Sequence, residues 1–181
     1  MYELANKNYI CKELLPVEIR KEILTMKKMK DYIRFIREKV GHQCIFLNFV
    51  GAVVKNKKNE VLLQNRGDER GWGFLGGAIE LGESFEETLI REVKEESGYE
   101  VKIEKLIGVY GNYIDKYPNG DEAQTITVFF ECSIKNVGYI YNHNETKELK
   151  FVDIESDIQM FNKQHTDVLN DIRNKRYGVY R

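Results

Sequence analysis

Two glutamates one helical turn apart, Glu92 and Glu96, fall on the same side of a helix as the leucine and valine that should face a core. The stretch that holds them reads "GAIELGESFEETLIREVKEESGY", residues 77–99. Ser84 followed by Glu87 is a capping box, which places a helix start at Ser84, and Gly98 is suited to end it. On a helix advancing about 100° per residue, Phe85, Leu89 and Val93 define an inward stripe. Glu92 and Glu96 fall inside that stripe, at about −20° and about 20° from Phe85, and Glu95 lies on its edge at about −80°. Glu87 and Lys94 point away.

Ionised carboxylates converging on an inward face require compensation, because an unpaired buried carboxylate costs several kcal/mol or more. Two readings satisfy this. Arg and Lys from elsewhere neutralise the acids, or the helix end emerges into water. Alternatively, a hard divalent cation sits there, with oxygen ligands at i, i+3 and i+4 and with water and phosphate oxygens completing its shell. Gly76-Gly77 before the helix permits close backbone approach, and Arg91 beside Glu92 can fix a carboxylate rotamer by paired hydrogen bonds.

Helices and strands on both sides must position this segment. Ile19, Ile23, Met26, Met29, Ile33, Ile36 and Val40 recur at three- and four-residue spacing, so residues 16–40 read as one amphipathic helix, ended by Gly41 and His42. Over 12–40 there are nine Lys/Arg against five Asp/Glu. The expected role of this basic surface is solvation of a helix docked on its own domain or on a second copy. "CIFLNFVGAVVKN", "EVLLQNR", "VKIEKLIGVYGNYI", "QTITVFFECSI" and "LKFVDI" read as strands, with a turn at "DKYPNGDEA" and a last helix over 162–176. "GDERGWGFLGG" reads as a glycine-rich turn that the single Trp72 packs against. His165 is expected to cap or pack the last helix rather than to do chemistry.

Composition narrows the partners. With 28 Lys+Arg against 29 Asp+Glu, the net charge of −1 offers no global basic field for nucleic acid. Cys11, Cys44 and Cys132 are scattered and form no CxxC, which fits reduced thiols better than a disulfide frame or a zinc site. The N-terminus carries charges where a secretion signal would be apolar, and no run reaches the roughly 20 apolar residues of a membrane helix. A cytoplasmic location is expected.

Gly77, five residues, Glu83, seven residues and "REVKEESGY" together resemble the Nudix box without a gap, with Gly77, Glu83, Arg91, Glu92, Val93, Glu95, Glu96, Gly98 and Tyr99 filling its positions in order. Leu75 stands where a proline is common, and Tyr99 where an aliphatic residue is usual. The resemblance implies an α/β fold, a Nudix-type α/β/α sandwich with a mixed sheet. It divides the chain into an N-terminal helical extension over 1–43 and a hydrolase domain over 44–181. It implies a pyrophosphohydrolase that cleaves a nucleoside diphosphate linked to a group X, of the ADP-ribose, nucleotide-sugar or CDP-choline type. The alternatives are a nucleoside triphosphate pyrophosphohydrolase and a non-catalytic nucleotide sensor on the same scaffold. The implied cofactor is Mg²⁺, with Mn²⁺ able to substitute, which would neutralise phosphate charge and lower the pKa of a bound water.

By the same resemblance Glu92 and Glu96 are the primary metal ligands, Glu95 is next and the Gly77 carbonyl contributes. Glu83 supports the cluster and Arg91 orients it. The general base is a box glutamate or an acid from a distant loop, with Glu145 and Glu148 the loop candidates. Arg66 is the candidate phosphate contact, and Tyr113 and Tyr117, 14 and 18 residues past the box, are the candidates for stacking on a base or sugar. The expected partners are a small-molecule nucleotide and a second copy of the chain in a homodimer, with no DNA and no membrane.

Overall fold

The computed structural model describes residues 32–65, 71–138 and 146–181. Of the helix expected over 16–40, the described part is α1, Tyr32–Val40, which stops where Gly41 takes φ +64°; residues 16–31 lie outside the described residues. The elements that follow are β1 (Ile45–Lys55), β2 (Val61–Asn65), β3 (Trp72–Gly73), β4 (Leu75–Ala78), α2 (Phe85–Ser97), β5 (Tyr99–Lys116), β6 (Glu122–Val137), β7 (Glu148–Val152), α3 (Lys163–Arg173) and β8 (Val179–Tyr180).

One mixed sheet organises them, in the order β3-β2-β1-β6-β5-β8, with β4 also paired to β1 and β7 to β2. β1 runs parallel to β6 along its whole length, from Ile45↔Ala123 to Lys55↔Ser133. On its other side β4 pairs antiparallel with Phe49–Ala52. β5 and β6 form a long antiparallel hairpin whose turn is the expected Pro-Asn-Gly-Asp segment.

The sheet is covered on both faces, as strands of nearly continuous apolar sequence require. Val50, Ala52 and Val54 of β1 pack with Leu75 and with Leu89 and Val93 of α2. Val53, one step out of phase, belongs to the opposite core with Phe74, Phe129, Tyr110 and Val168, Leu169 and Ile172 of α3. Period-two alternation therefore feeds two hydrophobic layers from one strand, which is the expected α/β/α sandwich.

Two readings of the sequence are corrected. The "GWGFLGG" segment is not simply a turn: it supplies β3 and β4, held by pairing with β2 and β1 rather than by strand propensity. Phe85 does not face the core but is 47% exposed. The buried strip of α2 is Thr88, Leu89, Val93 and Ser97, so it begins one turn into the helix.

Trp72 does fix its loop: its amide donates to Gln159 O (3.0 Å) and its carbonyl accepts from Phe161 N (2.9 Å). His165 is a packing residue, against Phe74, Phe129 and Phe161, and its Nδ1 accepts the Phe74 amide at 3.0 Å. The cap of α3 is Asn162, whose side chain accepts from His165 N. Cys132 is buried and Cys44 exposed, both as free thiols. Burial pushes the Cys132 thiol up to about 12.

Candidate active site

The helix of the box starts as its residues dictate. Ser84 Oγ accepts from Glu87 N at 3.2 Å and Glu87 Oε2 accepts from Ser84 N at 2.9 Å, a reciprocal capping box. At the other end Gly98 takes a left-handed conformation (φ 73°) and its amide donates to Lys94 O at 2.9 Å. α2 lies against β4, and this contact builds the site.

Gly76 and Gly77 are where glycine is required. Gly76 has φ +145°, and a Cβ there would lie 2.1 Å from Val50 O. A Cβ on Gly77 would lie 2.3 Å from the carboxyl carbon of Glu92. The space beside the β4 backbone is therefore taken by that carboxylate. Gly76 N donates to Glu96 Oε2 at 2.8 Å, so the second inward glutamate is seated on the same turn.

Arg91 ties the remaining acids together. Its Nε and Nη2 donate to the two oxygens of Glu83, each at 2.8 Å, its Nη1 donates to Glu92 Oε1 at 2.6 Å, and its Nη2 reaches Ala78 O at 3.3 Å. Glu95 Oε2 lies at 3.5 Å from Nη1 and is 57% exposed, consistent with its edge position. Glu83 also accepts from Thr88 Oγ1 at 2.8 Å. The Arg91 hydrogen bonds are the strongest influence on Glu83 and hold its carboxyl below the ordinary range despite partial burial. Glu92 goes the other way: burial dominates and pushes its carboxyl up, against the pull of Arg91.

This donor set suits a hard cation. Among the described residues no three or more His, Cys, Asp or Glu side chains form a ready-made metal cage. What the turn and helix present is two inward carboxylates on the glycine turn, with Glu95 at the rim. Such an open oxygen shelf, rather than an enclosed cage, matches ions that keep waters and substrate oxygens in their shell.

A cleft of about 420 Å³ opens beside Gly76 and Gly77, lined among others by Phe161, Gln164, Asp115, Tyr117, Asn119 and Arg37. Tyr117, expected as a stacking residue, lines it. Tyr113 does not: its hydroxyl donates to Asp167 Oδ2 at 2.8 Å and its ring packs on the α3-side core. Glu148 is exposed at the start of β7, opposite Asn65, and does not line the cleft. Arg66 and Glu145 lie outside the described residues. The segment entering β7 does approach the box, since Thr146 Oγ1 accepts from Gln64 Nε2 (2.6 Å) and sits 3.5 Å from Glu96 O. Sequence reasoning missed Asn162, Gln164 and Arg37 as cleft residues. Gln164 is legible only in the folded chain, where it bonds Thr127, Thr125 and Tyr110 O.

The family model for the NUDIX domain matches residues 47–171, and the chain belongs to that family. It is a Nudix pyrophosphohydrolase, of a family that typically requires divalent metal ions. The ADP-ribose pyrophosphatase of Methanocaldococcus jannaschii is 27% identical over 161 residues, a match covering 87% of this chain and 86% of that one. A span of that size extends beyond the family domain itself. Among solved structures, the MutT protein from Bacillus halodurans superposes with a TM-score of 0.62 at 20% identity, over 74% of this chain and 86% of that chain. A UDP-X diphosphatase gives 0.55 at 19% identity, over 90% and 82%. These structural likenesses establish the fold. Among the described residues no helix is long and apolar enough to cross a membrane.

Proposed function

We propose that the chain hydrolyses a nucleoside diphosphate linked to a sugar-like group, with ADP-ribose the first substrate to test. The observation that carries this reading is the seating of Glu92 and Glu96 on the Gly76-Gly77 turn at the edge of an aromatic and polar cleft. A diphosphate lying along that turn would extend its nucleoside past Tyr117 and Phe161. The similarity to the archaeal ADP-ribose pyrophosphatase, which spans most of both chains, points to the same substrate class.

In this reading Glu92 and Glu96 hold Mg²⁺, with Glu95 and the Gly77 carbonyl contributing and Mn²⁺ as the substitute. The cation supplies neutralisation of the diphosphate and activation of water. Glu83 and Arg91 keep Glu92 in one rotamer. Water attacks one phosphorus, the bridging P–O bond breaks, and a mononucleotide and a phosphorylated X leave. The water's proton passes to a carboxylate, either a box glutamate or Glu145. Arg66, the next residue in sequence after Asn65, is the proposed phosphate contact.

The test is product analysis over ADP-ribose, nucleotide sugars, CDP-choline and nucleoside triphosphates, with Mg²⁺, with Mn²⁺ and with chelator. Metal-dependent release of AMP and ribose 5-phosphate supports the proposal. Release of pyrophosphate from a triphosphate moves the assignment to a triphosphate pyrophosphohydrolase. Binding without turnover on any compound moves it to a sensor.

A further inference from the structure

α1 buries none of its residues fully, and its apolar Ile33, Ile36 and Val40 are only partly covered. Its Arg37 side chain, however, is only 11% exposed. Nη1 donates to Gly41 O (3.1 Å) and Gln43 O (2.7 Å), and Nη2 donates to Glu122 O (2.7 Å). Nε lies 3.4 Å from Asp121 Oδ2. One planar guanidinium thus joins the end of α1, the turn into β1 and the start of β6. A fixed fork of donors can do this where a flexible ammonium cannot.

The far side of that junction is the tip of the β5–β6 hairpin. Tyr117 N donates to Asp121 O and Gly120 N to Tyr117 O, both at 2.9 Å, closing the turn. Asp121 further accepts from Asn119 Nδ2 at 3.0 Å and lies 2.7 Å from His42 Nδ1. Ile33 and Arg37 of α1 and Tyr117, Asn119 and Asp121 of the tip all line the cleft that opens on Gly76 and Gly77. The family domain begins at residue 47, so α1 lies outside it.

We propose that α1 forms a second wall of the substrate cleft and that Arg37 is its positioning residue. By holding the hairpin tip, Arg37 sets the position of Tyr117 and Asn119 against the nucleoside. Arg37 does not touch the reacting phosphates, because its Nη1 and Nη2 donate to backbone carbonyls and its Nε faces the charge of Asp121. The proposal rests on the reading of the cleft as a nucleoside diphosphate site. A displaced wall should weaken ground-state binding and leave chemistry at the box largely intact, which appears as a KM effect.

The test compares wild type with Arg37→Met, Arg37→Lys and Ile33→Trp, using ADP-ribose turnover and, separately, AMP binding by calorimetry in chelator. Arg37→Met should raise KM about tenfold or more with kcat within about threefold, and Arg37→Lys should not restore it. Ile33→Trp, at a partly exposed site where a larger ring needs no core space, should fill the cleft mouth and weaken AMP binding about tenfold. This variant decides the matter if Arg37→Met does not fold. Wild-type turnover of ADP-ribose with unchanged KM and AMP affinity in the variants overturns the wall but leaves the proposed function standing. Wild type that binds AMP but turns over nothing, with binding weakened in Ile33→Trp, removes the function and supports the wall. Wild type that does neither overturns both.

Discussion

The carboxylate of Glu92 occupies the space that a side chain on Gly77 would need, with 2.3 Å between its carboxyl carbon and an ideal Cβ at residue 77. Glycine at the head of the box and glutamate fifteen residues later are thus two halves of one contact. Gly77→Ala should move the flexible end of Glu92 rather than the backbone. Turnover should fall about 100-fold, the scale of an ångström-sized misplacement near a reacting centre, while the melting temperature stays within a few degrees. Steady-state kinetics beside a thermal melt checks this; retained kcat would place the metal away from Glu92.

Glu96→Gln keeps an oxygen to accept the Gly76 amide and removes the charge. The fold should persist and turnover should fall by more than the ~10–100-fold that loss of an outer partner costs. Activity measured across a Mg²⁺ titration decides it. Wild-type turnover at fixed Mg²⁺ would remove Glu96 from the metal-binding set.

Arg91→Lys should lose the two-pronged grip on Glu83 and the bond to Glu92, since an ammonium cannot span both. A loss of about 10–100-fold in metal affinity or activity is expected. A direct measurement of Mn²⁺ binding by paramagnetic resonance separates metal affinity from turnover. Unchanged Mn²⁺ affinity would confine Arg91 to a structural role.

Acid stability should depend on Asp171, far from the box. This carboxylate is fully enclosed and accepts from Tyr110 Oη, Arg176 and Arg181. Burial works against its charge, and those hydrogen bonds more than offset it, so its carboxyl sits below the ordinary range. Its stabilising contribution is therefore present above the unfolded-state pKa of about 3.9 and disappears as pH falls through the lower folded value. Asp171→Asn should cost about 2–3 kcal/mol at pH 7, less than a wholly buried pair because both arginines are partly in water. A fall in Tm of roughly 5–10 °C at pH 7, narrowing in acid, is expected from melts over a pH series. A pH-independent difference would mean that packing, not charge, holds the C-terminus.

The box helix was legible in sequence because its information is local: a capping box, a glycine stop and a 3.6-residue period are all read within fifteen residues. The inward placement of Glu92 and Glu96 followed from that period. Phe85 misled because the wheel reports direction but not whether anything covers the first turn. β3 and β4 were illegible because glycine-rich strands of two and four residues exist through their partners, Gln64 and Asn65 on one side and Phe49–Ala52 on the other. Arg37 read as one more solvated cation in a basic helix. Its carbonyl partner on Glu122 is 85 residues away, and no local pattern announces a contact of that range.

β1 gives Val50, Ala52 and Val54 to one apolar layer and Val53 to the other. Neither layer can detach without stripping one side of a strand on which the other depends. Melting should therefore be all-or-none across both helical layers, with the amides of β1 among the last to exchange with solvent. The glycine turn is hydrogen-bonded to this same strand, so the seat of Glu92 and Glu96 should last as long as the domain stays folded.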